Sequence, residues 1–253
     1  NLMFEELKPH LAELRKRLVI CVLSVIVLFI ACFGFWEDIL GFMTRPLVRV
    51  LPKGSEIIFT QLGETFFTAM KVSFFTSLLL AMPIIFWQVW LFVAPGLYDN
   101  EKKYVIPFVS GASVMFFLGA AFCYFFVIPV AFNFLVNFGA KQFTAMPTIG
   151  EYVGFFAKLV VAFGISFELP VVTFFLAKIG LVTNKSLSDF FRYAIVIIFI
   201  FAAVMTPPDV LSQFMLATPL IALYLLSIFI AKMVNPYKPE DDEGENSTDV
   251  AQA

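Results

Sequence analysis

The chain alternates between long apolar runs and short polar segments, and six runs stand out. Residues 18–36 contain nineteen positions without a charge, close to the roughly 20 that carry a helix across a ~30 Å hydrocarbon core. Residues 66–94 form a longer run, with Lys71 near its start and Pro83 inside, ending before the breaker Pro95-Gly96. Residues 104–134 and 152–179 follow, the latter enclosing Lys158, Glu168 and Pro170; tilt or kinking must absorb their excess length. The fifth run, 193–205, has thirteen residues and the sixth, 214–231, has eighteen, separated by the turn sequence TPPDVLSQ. Thirteen helical residues reach only ~20 Å. Either Phe190 and Phe191 lengthen the fifth segment while Arg192 snorkels and the bilayer thins, or neighbouring helices shield this hairpin from lipid. Ahead of the first run, Leu7, Leu11, Leu14 and Leu18 form an apolar stripe that predicts an interfacial helix over about 4–17 with Pro9 in its first turn.

Composition decides the class. Sixty per cent of residues are hydrophobic, 14% are charged, and mean hydropathy is +0.91, against roughly 25% charged residues in an average globular protein. The chain is therefore an all-α polytopic membrane protein, and disorder, collagen and a disulfide-stapled secreted scaffold are excluded. Residues 1–236 read as one six-helix membrane domain, and 237–253 as an acidic disordered tail holding Glu240, Asp241, Asp242, Glu243, Glu245 and Asp249. That tail hides a basic remainder behind the formal net charge of -2. With the N-terminus inside, eleven lysines and arginines fall on the cytoplasmic side, four on the outer side (Arg45, Arg49, Lys53, Lys141), and Lys71 and Lys158 lie within spans. The positive-inside rule selects N-in, C-in. The halves share no repeated motif that would mark an inverted-repeat transporter.

Few residues carry chemistry. Cys21, Cys32 and Cys123 sit in apolar stretches at spacings that match no zinc or redox motif, and His10 is the only histidine. No metal cluster or histidine-assisted nucleophile can be assembled, so neither enzyme activity, a cofactor nor a metal is expected. Glu13 has two readings: an i,i+4 pair with Arg17, worth ~0.3–0.5 kcal/mol, or an acid offered to a visiting cation. Glu101 is either a first-turn acid favoured by the helix dipole or a second such ligand. Each could form a charge-assisted pair with a visiting arginine. Glu168, inside the fourth run beside Pro170, is costly if ionised and marks a functional site by default; a protonated side chain bonded to a carbonyl freed by the kink is the alternative. Asp209 caps the sixth helix or acts in the turn. Phe66, Phe92 and Tyr124 are explained as well by aromatic belts and packing as by function.

Taken in order, HLAELRKRL from His10, RPL from Arg45, FVAPGLYDNEKK from Phe92, the Phe-Cys-Tyr-Phe stretch ending at Phe125, AFGISFELP from Ala162 and TPPDVLSQ from Thr206 resemble the TatC family, the multispanning subunit of the twin-arginine protein translocase. The resemblance runs to about Lys232. It implies a glove-shaped bundle of six transmembrane helices, N-in/C-in, with a concave face and short fifth and sixth helices, in the bacterial inner membrane. It further implies recognition of twin-arginine signal peptides on folded cargo and nucleation of a proton-motive-force-driven export complex. Glu13 and Glu101, with Arg15, Arg17 and Phe92, would form the signal-peptide site; Pro46, Phe66, Tyr124, Glu168, Met205, Asp209 and Gln213 would serve assembly or translocation. The implied partners are TatA-like and TatB-like single-span subunits along the fifth and sixth helices, the lipid bilayer, and further copies in the receptor complex, with no nucleic acid. One departure is Gln61-Leu62-Gly63, where many members carry a Ser-Pro turn. The rival reading is a proton- or cation-coupled secondary transporter built on Glu168.

Overall fold

The computed structural model describes residues 2–52, 55–93, 105–138, 146–206 and 210–237. Among them the chain is helical apart from turns and one isolated bridge between Ile58 and Thr148. The elements are α1 (Leu2–Gly34), α2 (Trp36–Val48), α3 (Glu64–Val93), α4 (Val105–Phe122), a π-turn (Cys123–Val127), α5 (Ile128–Phe138), α6 (Ile149–Ser166), α7 (Glu168–Lys178), α8 (Asn184–Met205) and α9 (Val210–Val234).

Six helical stretches among the described residues are long and apolar enough to span: Leu11–Gly34, Glu64–Phe92, Ile106–Asn137, Ile149–Lys178, Asn184–Met205 and Gln213–Val234. They match the six apolar runs one for one, and the fifth and sixth are the shortest at 22 residues each. The fifth is a helix of ~33 Å because the polar stretch from Asn184 to Arg192 continues it. Thr183 starts that stretch with a reciprocal cap, accepting from the Ser186 N–H while its own N–H is taken by the Ser186 hydroxyl. At the N-terminus the helix expected to stop near residue 17 runs unbroken into the first span, and Pro9 lies two turns past the helix start rather than in the first turn.

Prolines set the irregularities. Pro129 has no N–H for the carbonyl of Phe125, and the ladder before it shifts to the π-turn that carries Tyr124. Pro170 has none for the carbonyl of Ser166, and the fourth span is interrupted at Phe167, between α6 and α7.

The chain divides into two compact units, 1–165 and 166–253. In the first, α1 lies along α3 and α3 packs on α4. The buried face of α3 carries a stripe of small side chains, Ala69, Ser73, Ser77 and Ala81, beside the larger Val72, Phe75 and Trp90, and such a stripe permits close helix approach in a membrane. The hydroxyls of Ser73 and Ser77 bond back to the carbonyls of Ala69 and Phe74, each at 2.7 Å, so neither is left unsatisfied in an apolar setting. α6 comes so near the buried ring of Phe116 that a Cβ on Gly164 would lie 2.6 Å from it; only glycine fits there.

In the second unit α9 packs against both α7 and α8, with Ala194, Ile198 and Ala202 of α8 and Leu216, Ala217, Leu220 and Leu223 of α9 buried. Gly180, at φ +81°, ends α7 in a Schellman turn, with the Leu181 N–H bonded to the Leu176 carbonyl at 2.9 Å.

Candidate functional site

The acid Glu13 sits on the first span, where its Oε1 accepts from Arg17 Nη2 at 2.9 Å. This is the i,i+4 geometry that spacing allows, with the acid N-terminal to the base as the helix dipole prefers. The arginine does more than that. Its Nη1 reaches across to Gln88 Oε1 on α3 at 3.3 Å, while its Nε is buried with no hydrogen-bond partner among the described residues. Arg17 thus meets α3 near its C-terminal end, while Val25, Ile26 and Phe29 further along α1 share a groove with Met70, Lys71 and Phe74 near the start of α3, so the two helices run antiparallel. Arg15 is exposed. Phe92, half-buried, lies one turn beyond Gln88 on the same face of α3. Glu101 falls outside the described residues.

Gln88 was not singled out from sequence, although one signal was available: it is the only amide in the apolar run 66–94. It is 8% exposed, and a buried amide in such a setting requires a polar partner.

At the other end of this unit, the segment after the first apolar run folds into the helix α2 and not into a loop. Glu37 and Asp38 favour its first turn, and Met43, Pro46 and Leu47 form its buried face. Two tyrosines hold it by its backbone. Tyr124 stacks on Phe42, centroids 4.5 Å apart and planes 2° from parallel, and its hydroxyl donates to the Phe42 carbonyl at 2.9 Å. Tyr152 donates to the carbonyl of Met43. Pro46 explains the first bond: in an α-helix the Phe42 carbonyl would receive the N–H of residue 46, which proline lacks. Tyr124 supplies the missing donor. Pro46 and Tyr124, expected separately in assembly or translocation, therefore belong to one device.

The departure at Gln61-Leu62-Gly63 leads into a second device. Glu64 Oε2 accepts from the Thr60 N–H at 2.6 Å, the Thr60 hydroxyl at 3.1 Å and the Gln61 N–H at 3.4 Å. Its Oε1 accepts from the Gly150 N–H at 3.0 Å, and a Cβ on Gly150 would lie 2.9 Å from that oxygen. Backbone bonds from Ile58 to Pro147 and from Ile149 to Ile58, at 3.1 and 3.0 Å, run alongside. One carboxylate thus joins the α2–α3 connection to the start of α6. Phe66, by contrast, is 59% exposed and meets its neighbour Phe67 edge-on.

In the second unit Glu168 opens α7, and its Oε1 is buried with no hydrogen-bond partner among the described residues. The expected bond to a carbonyl freed by the kink is not made by this oxygen. Gln213 Nε2 donates to the Phe199 carbonyl at 2.9 Å, and Phe214 meets Phe199 edge-on at 5.0 Å, so the sixth span is pinned to the fifth. Met205 is the last residue of α8; Asp209 lies outside the described residues. No group of metal-ligating side chains occurs among the described residues.

The family model described as "Sec-independent protein translocase protein (TatC)" matches residues 9–219. The chain belongs to the TatC family. The TatC protein of Campylobacter jejuni is 56% identical over 245 residues, covering 96% of this chain and all of its relative. That of Helicobacter pylori strain J99 is 50% identical over 248 residues, 98% of this chain and 97% of the relative. That of Escherichia coli K12 is 40% identical over 228 residues, 90% and 88%. A crystal structure of a twin arginine translocase receptor, TatC, superposes with a TM-score of 0.81 at 37% identity, covering 89% of this chain and 99% of that one. Membership makes the chain a multi-pass inner-membrane subunit of a protein translocase, working within a complex and not as an enzyme. The secondary-transporter reading of Glu168 finds no support in these matches.

Proposed function

We propose that this TatC-family chain receives twin-arginine signal peptides of folded cargo on its cytoplasmic face, through Glu13 and Glu101 together with Arg15, Arg17 and Phe92, and nucleates the export complex. One observation carries the reading: Glu13 already holds a guanidinium, that of Arg17, at 2.9 Å. A carboxylate positioned for one arginine is positioned for another of the same charge and geometry. The topology that supports it is N-in, C-in, set by eleven against four basic residues. TatA-like and TatB-like single-span subunits are taken to dock along α8 and α9, near Met205, Asp209 and Gln213. This assignment is supported by the exposed apolar row Val196, Ile197, Ile200 and Val204 on α8.

The test is crosslinking of the isolated chain to a peptide carrying Arg-Arg, with Lys-Lys as control. Glu13→Ala and Glu101→Ala are each expected to lose crosslinking while membrane insertion stays normal. The Lys-Lys peptide should bind less well, since an ammonium lacks the planar fork. Equal crosslinking by wild type and both variants would remove these acids from the site.

A further inference from the structure

We infer that Arg17 is a resident counter-ion that every incoming cation must displace from Glu13, and that Gln88 is the berth that keeps Arg17 once displaced. The inference rests on the proposed signal-peptide site, gives a role to Arg17, already expected there, and adds Gln88 to it; neither side chain touches the peptide.

Three observations carry it. Arg17 splits its fork, giving Nη2 to Glu13 at 2.9 Å and Nη1 to Gln88 at 3.3 Å, so it is bound to the acid through one nitrogen only. A bidentate grip would be hard to break; a single contact to a carboxylate one-third exposed is exchangeable. Next, Gln88 is 8% exposed and anchored on α3, a different element from Glu13, so its hold on Arg17 survives loss of the Glu13 contact. Finally, Arg17 Nε is buried and lacks a partner among the described residues. The guanidinium therefore has an unused donor, and its present pose is not its most fully bonded one.

Displacement makes binding an exchange of one guanidinium for another at the acid. The cost of ejecting Arg17 is the same for every ligand, so it lowers all affinities together and leaves the ratio between Arg-Arg and Lys-Lys peptides unchanged. Its consequence is a threshold: a weakly held point charge falls below it while an arginine pair clears it. Gln88 sets the height of that threshold: by holding Nη1 it keeps the fork from gripping Glu13 through both nitrogens, so Arg17 is cheaper to eject with Gln88 present than without it.

The experiment measures dissociation constants of fluorescent Arg-Arg and Lys-Lys peptides for the purified full chain in nanodiscs. Arg17→Gln should tighten both peptides by the same factor, about two- to fivefold, the worth of a part-exposed ion pair. Should that variant not elute as a single species, Arg17→Met, which keeps the stem, replaces it with the same expectation. Gln88→Leu should weaken both peptides by a comparable factor, and should have no effect when Arg17 is already Gln. Weaker or unchanged binding by the Arg17 variants overturns the inference. So does a change confined to the Arg-Arg peptide, or a Gln88→Leu loss that persists without Arg17. Glu13→Gln separates the two levels. If it binds like wild type, the site itself is wrong; if it loses binding while Arg17→Gln gains none, only the counter-ion role fails.

Discussion

Glu168 stands out for the bond it does not make. Its Oε1 is enclosed at the start of α7 with no donor to accept from among the described residues, and an unmade hydrogen bond on a buried group costs about 1–3 kcal/mol, more when the group is charged. Replacing the carboxyl group by an amide of equal shape leaves nothing there to ionise. Glu168→Gln is thus expected to unfold in detergent at or above the temperature of the parent, while export by the complete translocase falls at least a few-fold. A lower unfolding temperature with normal export would make Glu168 a structural residue. This residue was legible in the sequence because a carboxylate within an apolar run is conspicuous. Gln88 was not, since an uncharged amide near the end of a run reads as an interfacial residue until the arginine facing it from another helix is seen. The same holds for Glu13: spacing offered both an internal pair and a ligand site, and only the cross-helix bond to Gln88 shows that the internal pair is half-made.

At the level of elements, α2 depends on donors from elsewhere. Pro46 withholds an N–H from the Phe42 carbonyl, and the Tyr124 hydroxyl provides one at 2.9 Å. Tyr124→Phe keeps the ring stack and loses only that bond, so it should cost about 0.5–1.5 kcal/mol, read as a lower midpoint of thermal unfolding. In a Pro46→Ala background the helix can supply its own N–H, and the same tyrosine change should then cost little. Equal costs in both backgrounds would show that the hydroxyl and the proline act independently. The spans were legible as elements because twenty-residue apolar runs have few other structures open to them. The helix α2 was not, for its thirteen residues carry two acids, an arginine and a proline, and the tyrosine hydroxyls that hold its backbone lie 82 and 109 residues away.

For the molecule as a whole, orientation underlies the proposed function, and it follows from charge counting alone. With N-in, C-in topology, a cysteine placed at exposed Glu56 should react with a membrane-impermeant maleimide on intact spheroplasts, and one placed at Asn246 only after permeabilisation. The reverse pattern would invert the chain and with it the proposed signal-peptide face. Six spans and family membership were both readable from the order of runs and motifs. The division into two compact units at the break near Phe167 was not, because a single apolar run covers it. The native thiols bear on any such measurement. Cys21, Cys32 and Cys123 all lie within spans, the last two buried. A water-borne reagent accordingly meets a nearly silent background, and spectroscopic probes can be installed one position at a time without first rebuilding the interior around serine.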